Sequence, residues 1–202
     1  MDCAQIGLKS NNLRDRIFMV VKTNGEFITG RGYPTLVQIM PQVQGDIMKL
    51  SAPGMIDIDV DIQRLYTLST VRATVWGEQV DAVDAGEEVA KWLSRFLLSE
   101  DFGLRLVFYP STQPTRDVRS KNKIFDSAIR EDTGALHDAS SYMLVNESSV
   151  TDLNTRLEKA VTPLQFRPNF VVKGPDAYEE DSWLWIKIGN HTIFKNVKPC
   201  TR

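Results

Sequence analysis

The stretch RIFMVVKTNGEFIT, residues 16–29, sets two runs rich in β-branched and aromatic residues on either side of Asn24-Gly25. Asn-Gly tolerates the positive φ angles of a type I′ turn, so this spacing predicts a β-hairpin. The region that follows reads as more sheet. TLVQIM (35–40), DIMKLSA (46–52) and STVRATVW (69–76) each predict a strand. MIDIDVDI (55–62) alternates strictly, with Ile56, Ile58, Val60 and Ile62 on one face and Asp57, Asp59 and Asp61 on the other. That pattern predicts a half-buried strand. Three aspartates in a row of alternate positions suggest a metal site, but a solvated sheet face explains them without one.

The period changes at DAGEEVAKWLSRFLLSE (84–100). Val89, Trp92, Leu93, Phe96 and Leu97 form a single apolar stripe at helical spacing. Glu87 and Glu88 stand where the helix dipole favours negative charge. LRLVFYP (104–110) returns to strand and stops at Pro110. From Pro110 to about Asp138 the chain is polar and aperiodic, and locally basic at Arg116, Arg119, Lys121 and Lys123. Such a long connection predicts a domain boundary or a lid beside a substrate. SYMLVNE (141–147) is then a strand. SSVTDLNTRLEKA (148–160) is a helix capped by Ser148 or Ser149, with Val150, Leu153 and Leu157 inward. FRPNFVV (166–172) is a strand interrupted by Pro168, and DSWLWIKIGNHTIFKNV (181–197) is a hairpin about Gly189-Asn190. Many strands, mostly antiparallel by loop length, and two good helices predict an α+β fold with at least one barrel-like sheet.

Composition narrows the classes of function. The 202 residues are 42% apolar and 25% charged, ordinary for a globular protein. The net charge of −2 speaks against a general nucleic-acid binder, which needs a basic surplus. No run of about 18 apolar residues predicts a transmembrane span, and MDCAQIGLKSNN has no secretory h-region. Cys3 and Cys200 are the only cysteines. A reducing compartment is the simpler reading, with one bridge between the chain ends as the alternative.

The common catalytic signatures are missing: no phosphate-cradling Gly-rich loop, no HExxH, no G-x-S-x-G, no CxxC. His137 and His191, the only histidines, read as ordinary surface residues. What stands out is arginine beside turns and prolines: Arg16 in NLRDRIF, Arg167 in FRPNF and Arg202 in PCTR. A planar guanidinium fork suits phosphate or carboxylate. Solvated or salt-bridged arginines are the plainer alternative.

The strings NLRDRIFMVV, VTDLNTRLEKAVTPLQFRPNFVV, AYEEDSWLWIKIG and KPCTR together resemble the MOSC-domain proteins, in particular the mitochondrial amidoxime-reducing components. The resemblance runs over nearly the whole chain. It implies a β-rich N-terminal MOSC subdomain at residues 17–109 and an incomplete MOSC β-barrel at 110–202 joined by residues 1–16. It also implies a pyranopterin molybdenum cofactor held by Arg16, Asp138, Ala139, Ser140, Arg167, Thr201 and Arg202. Ala139 stands where relatives often carry threonine. The implied activity is reduction of N-hydroxylated compounds such as amidoximes. Electrons would come from NADH through a flavin reductase (NADH-cytochrome b5 reductase) and cytochrome b5. The implied location is the mitochondrial outer membrane, or the cytosol for a chain without the anchor.

The resemblance carries one further expectation. The family's metal thiolate comes from a second cysteine in a C-[ST]-R-C loop, and this sequence stops at Arg202, one residue before that position. Cys200 matches the first cysteine, an improbable substitute ligand. The family's anchor, its opening strand with a Lys-Ser contact and its last barrel portion are likewise not found. The expectation is therefore an impaired enzyme, with a non-catalytic fragment or isoform acting as a binding module as the alternative. Pyridoxal phosphate, loosely linked to MOSC proteins, is not expected, because no lysine lies in a supporting motif.

Overall fold

The computed structural model describes residues 2–4, 7–10, 13–117, 133–138 and 140–199. The fold is α+β and strand-rich. Among the described residues the strands make six sheets of two to four strands, none closed on itself. The central one is antiparallel, in the order Phe18–Lys22, Leu104–Phe108, Glu78–Asp84, Thr70–Val75. Thr70–Val75 and Glu78–Asp84 are joined at Trp76-Gly77, both with positive φ. The second of these strands has no counterpart in the sequence reading.

The Asn24-Gly25 turn forms. Gly25 has φ 83°, its N–H donates to the Lys22 carbonyl at 2.9 Å, and a Cβ there would sit 2.9 Å from the Arg72 carbonyl. Only glycine fits so close an approach of two backbones. The second arm of the expected hairpin does not run on as a strand. Glu26 and Phe27 make single bridges to Thr74 and Val21, on the edge of Phe18–Lys22 that does not face Leu104–Phe108.

Residues 35–40 also depart from expectation. Pro34–Gln38 is a 3-10 turn, and the strand starts later, at Met40–Gln44, pairing with Ile47–Ser51. A proline at the first helical position fixes φ for a helical turn, which overrides the apolar run behind it. In the alternating segment only Ile58–Asp61 is strand. Val60 and Ile62 are buried and Asp57, Asp59 and Asp61 exposed, but Ile56 lies outside the strand and is 89% exposed. Asp61 instead caps the short Ile62–Leu65 helix, accepting from the Arg64 N–H at 3.1 Å.

Helix Glu87–Leu98 matches its stripe: Val89, Trp92 and Leu93 are buried, with Phe96 and Leu97 half-buried. It packs on Leu104–Phe108 within a core that includes Ile17, Leu50, Val60, Leu65 and Phe108. A second cluster on the other side of the central sheet joins Val21, Ala73, Val80, Val107 and Tyr109 to Ala135 and Leu136. The later helix is Glu147–Asn154. Its cap is Asn146, whose Oδ1 accepts from Ser148 N–H at 3.1 Å, rather than Ser148 or Ser149. The Ser149 hydroxyl is committed to Glu180 at 2.6 Å. The helix ends before Leu157, which is 40% exposed. Leu144–Asn146 pairs in parallel with Phe170–Val172, against the antiparallel expectation, since the helix between them is a crossover connection. The Gly189-Asn190 hairpin forms as expected between Trp185–Ile188 and Thr192–Lys195.

Candidate functional site

The site grows from a turn at Asp15-Arg16. Arg16 has φ 56°, a left-handed conformation that costs an L-residue of this size about 1–2 kcal/mol. Its guanidinium is held from three sides. Nη1 donates to the Asp15 carboxylate and, at 3.2 Å, to Asn169 Oδ1. Nη2 donates to the Arg167 carbonyl at 2.7 Å. Asn169 completes the junction: its Nδ2 donates to Asp15 at 2.8 Å and its Oδ1 accepts from Met143 N–H at 2.9 Å. Arg167 itself ends the Pro163–Phe166 turn at φ 52°, ψ 50°, with its side chain exposed. The structure therefore brings the Arg16 side chain onto the backbone of Arg167, which enters the junction through its carbonyl.

A second wall comes from residues 135–138. Arg116, 2% exposed, donates from Nε to the Ala135 carbonyl at 2.9 Å, and from Nη2 to the His137 carbonyl and, at 3.1 Å, to that of Asp138. The sequence predicts a polar, locally basic connection around Arg116. In the structure it forms a short antiparallel pair, Arg116–Asp117 with Thr133–Gly134, and is buried. Burial pulls its proton affinity below the usual guanidinium value, with Asp138 and Glu78 acting against that. Asp138 and Ser140 are exposed, and the Ser140 hydroxyl donates to the Tyr142 carbonyl at 2.9 Å. Ala139, Cys200, Thr201 and Arg202 lie outside the described residues.

His137 overturns the surface expectation; His191 meets it. His137 is 1% exposed and neither ring nitrogen has a hydrogen-bond partner. Burial, then the charges of Arg16, Arg116 and Arg14, push its pKa down to about 4. It is thus a neutral ring set among three cations. Arg14 was also unread: it donates to the Ser111 carbonyl at 2.6 Å, while its Nη1 is buried without a partner. Gly7 closes on this ring: it has φ 115°, and a Cβ there would lie 3.3 Å from His137 Nε2 and 3.4 Å from the Asp15 carbonyl. Among the described residues no group of three or more His, Cys, Asp or Glu side chains is arranged to hold a metal ion.

Residues 1–100 match the MOSC N-terminal beta barrel domain and residues 131–202 the MOSC domain. The chain belongs to the MOSC family. Along its whole length it is 37% identical to "Mitochondrial amidoxime reducing component 2" of Bos taurus and 38% identical to "Mitochondrial amidoxime-reducing component 1" of Homo sapiens. It is also 37% identical to "Mitochondrial amidoxime-reducing component 1" of Danio rerio. This MOSC chain spans 58%, 58% and 60% of those relatives' lengths. No helix among its described residues is long and apolar enough to cross a membrane.

The donor set suits an anionic pterin. Arg14 has a buried guanidinium N–H with no partner among the described residues, the Arg16 guanidinium meets the carbonyl of Arg167, whose own side chain is exposed, and Asp138 and Ser140 are exposed. Asp15 offsets part of the Arg16 charge, so a phosphate would share that guanidinium rather than claim it whole.

Proposed function

We propose that this chain contributes most of a pyranopterin molybdenum site in an oxidoreductase that reduces N-hydroxylated compounds. The observation that carries the reading is the Arg16–Arg167 junction, 151 residues apart in sequence. A shared anionic ligand is an economical reason for the Arg16 guanidinium to be anchored on the backbone of Arg167, with both arginines at left-handed backbone positions. Arg16 and Arg167 would hold the phosphate end; Asp138, Ala139 and Ser140 would line the pterin; Thr201 and Arg202 would close the metal side. The cofactor, when bound, supplies the two-electron chemistry. The protein's work is placement: guanidiniums and backbone N–H groups fix the pterin, and Asp15 and Asn169 fix the guanidinium.

The names of the relatives support amidoxime-type substrates and a mitochondrial setting. Cytochrome b5 and its NADH-dependent reductase are the proposed electron donors. The proposed organisation is a β-rich unit at 17–109 and a MOSC unit at 110–202 with 1–16.

The test is to purify the chain from a host that makes the cofactor. Molybdenum and pterin per chain are measured, and then amidoxime reduction with a supplied electron donor. Pterin bound in wild type and lost in Arg16→Ala is the expected result. Full pterin content in Arg16→Ala, or none in wild type, would overturn the site.

A further inference from the structure

Among the described residues the largest fully buried side chain is a cation, Arg116. Its hydrogen bonds there go to three carbonyls of one short loop, Ala135, His137 and Asp138, and to no carboxylate. Burying a guanidinium costs several kcal/mol unless its donors are well used. A methionine or leucine would fill the space at lower cost, so the fork itself is what the position requires.

Its effect follows from peptide geometry. A trans peptide is planar, with its C=O and N–H pointing in opposite directions. No peptide in the described structure is cis. Arg116 draws the His137 carbonyl inward, so the N–H of Asp138, on the same peptide plane, is turned away from it toward the exposed side. The Ala135 carbonyl likewise turns the Leu136 N–H away from Arg116. The inward side holds His137 next to Gly7, in the field of Arg16, Arg116 and Arg14. The exposed residue of the loop is Asp138, whose N–H is turned away from the buried fork.

We propose that Arg116 is a positioning residue: it sets the peptide planes of residues 135–138 so that the Asp138 end of the loop presents backbone N–H to an anionic ligand. The ligand class rests on the proposed pterin site; the peptide orientation does not. Arg116 touches no ligand itself. Lysine keeps the charge but cannot reach three carbonyls at once, so charge and fork can be separated.

The experiment compares Arg116→Lys and Arg116→Gln with a core control, Val60→Ala, which also lowers stability but packs in the other core cluster, without Ala135 or Leu136. Pterin content is measured on each purified protein, and backbone amide NMR shifts are measured on the cofactor-free forms. Both Arg116 variants should lose about tenfold or more of their pterin, as loss of an outer-shell partner does elsewhere. Val60→Ala should keep it. The Leu136, His137 and Asp138 amides should shift in the Arg116 variants while those of Phe18–Lys22 stay. If Arg116→Gln fails to fold, the Arg116→Lys result decides. Wild-type pterin content in Arg116→Lys, or unmoved loop amides, overturns the proposal. A wild-type chain without pterin sinks the cofactor reading alone, and the loop amides then decide the role of Arg116.

Discussion

Asn169 reaches across 154 residues to Asp15, its Nδ2 2.8 Å from the carboxylate, while its Oδ1 takes both Met143 N–H and Arg16. One amide side chain thus joins an N-terminal turn to two C-terminal segments, and does so with both ends used. Replacing it leaves a half-buried backbone N–H and a carboxylate short of a donor. Asn169→Leu should lose about 2 kcal/mol. Urea unfolding of the two proteins measures this. A change below 0.5 kcal/mol, or about a quarter of that, would show that the junction is held by other contacts.

His137 gives the protein an acid-sensitive element. Its pKa is about 4 in the fold against 6.5 for an ordinary histidine, with burial the first cause and Arg16, Arg116 and Arg14 following. The unfolded chain therefore takes up a proton in this window while the folded chain does not. Stability is full above pH 6.5, falls as the pH drops toward 4, and levels below that. At about 1.4 kcal/mol per unit, the loss reaches at most about 3 kcal/mol. His137→Leu should remove that slope. Urea midpoints at pH 7, 6 and 5 (roughly one pKa unit apart) are the measurement, and parallel curves for the two proteins would refute the assignment.

These two residues show what was and was not readable in the sequence. Asn190 in its Gly-Asn turn and the Val89-Trp92-Leu93 stripe were legible, since turn chemistry and helical period are local signals. His137 and Arg116 were not. Both lie at the edges of a polar, aperiodic stretch, and their burial is decided by Gly7, Asp15 and the short Arg116–Asp117 pair, contacts that no spacing encodes. The Ser149 cap failed for the same reason: Glu180 and the Tyr178 N–H, far along the chain, claim its hydroxyl. Two local signals were overlooked: Pro34 as a helical start ahead of a strand-like run, and Gly77 as the turn that opens the strand Glu78–Asp84.

Ser94 is a polar residue inside the best helix, fully buried. Its hydroxyl donates to the Ala90 carbonyl at 2.8 Å and accepts from Leu104 N–H at 3.0 Å. It ties the helix to the first residue of the neighbouring strand. Ser94→Ala leaves the Leu104 N–H buried without a partner and should cost about 1–3 kcal/mol. Thermal unfolding checks it; a melting temperature within error of wild type would mean the strand has shifted to satisfy that group.

Arg167 allows backbone and side chain to be separated in the candidate site. Its φ of 52° and ψ of 50° are easy for glycine and costly for arginine. A chain selected only for stability would place glycine or asparagine here. On the proposed site it is the guanidinium that keeps arginine here, and that side chain is exposed rather than packed. Its carbonyl, meanwhile, serves Arg16 whatever side chain is attached. Arg167→Gly should therefore leave stability unchanged or raised by up to about 1 kcal/mol, with the Arg16 junction intact. It should still lose most of the bound pterin, because the phosphate loses one of its two forks. Arg167→Ala should lose the pterin as well, without the relief in backbone strain. Pterin content and melting temperature on the same three proteins decide it. A glycine variant that keeps its pterin would assign Arg167 to turn formation and leave Arg16 to hold the phosphate end alone.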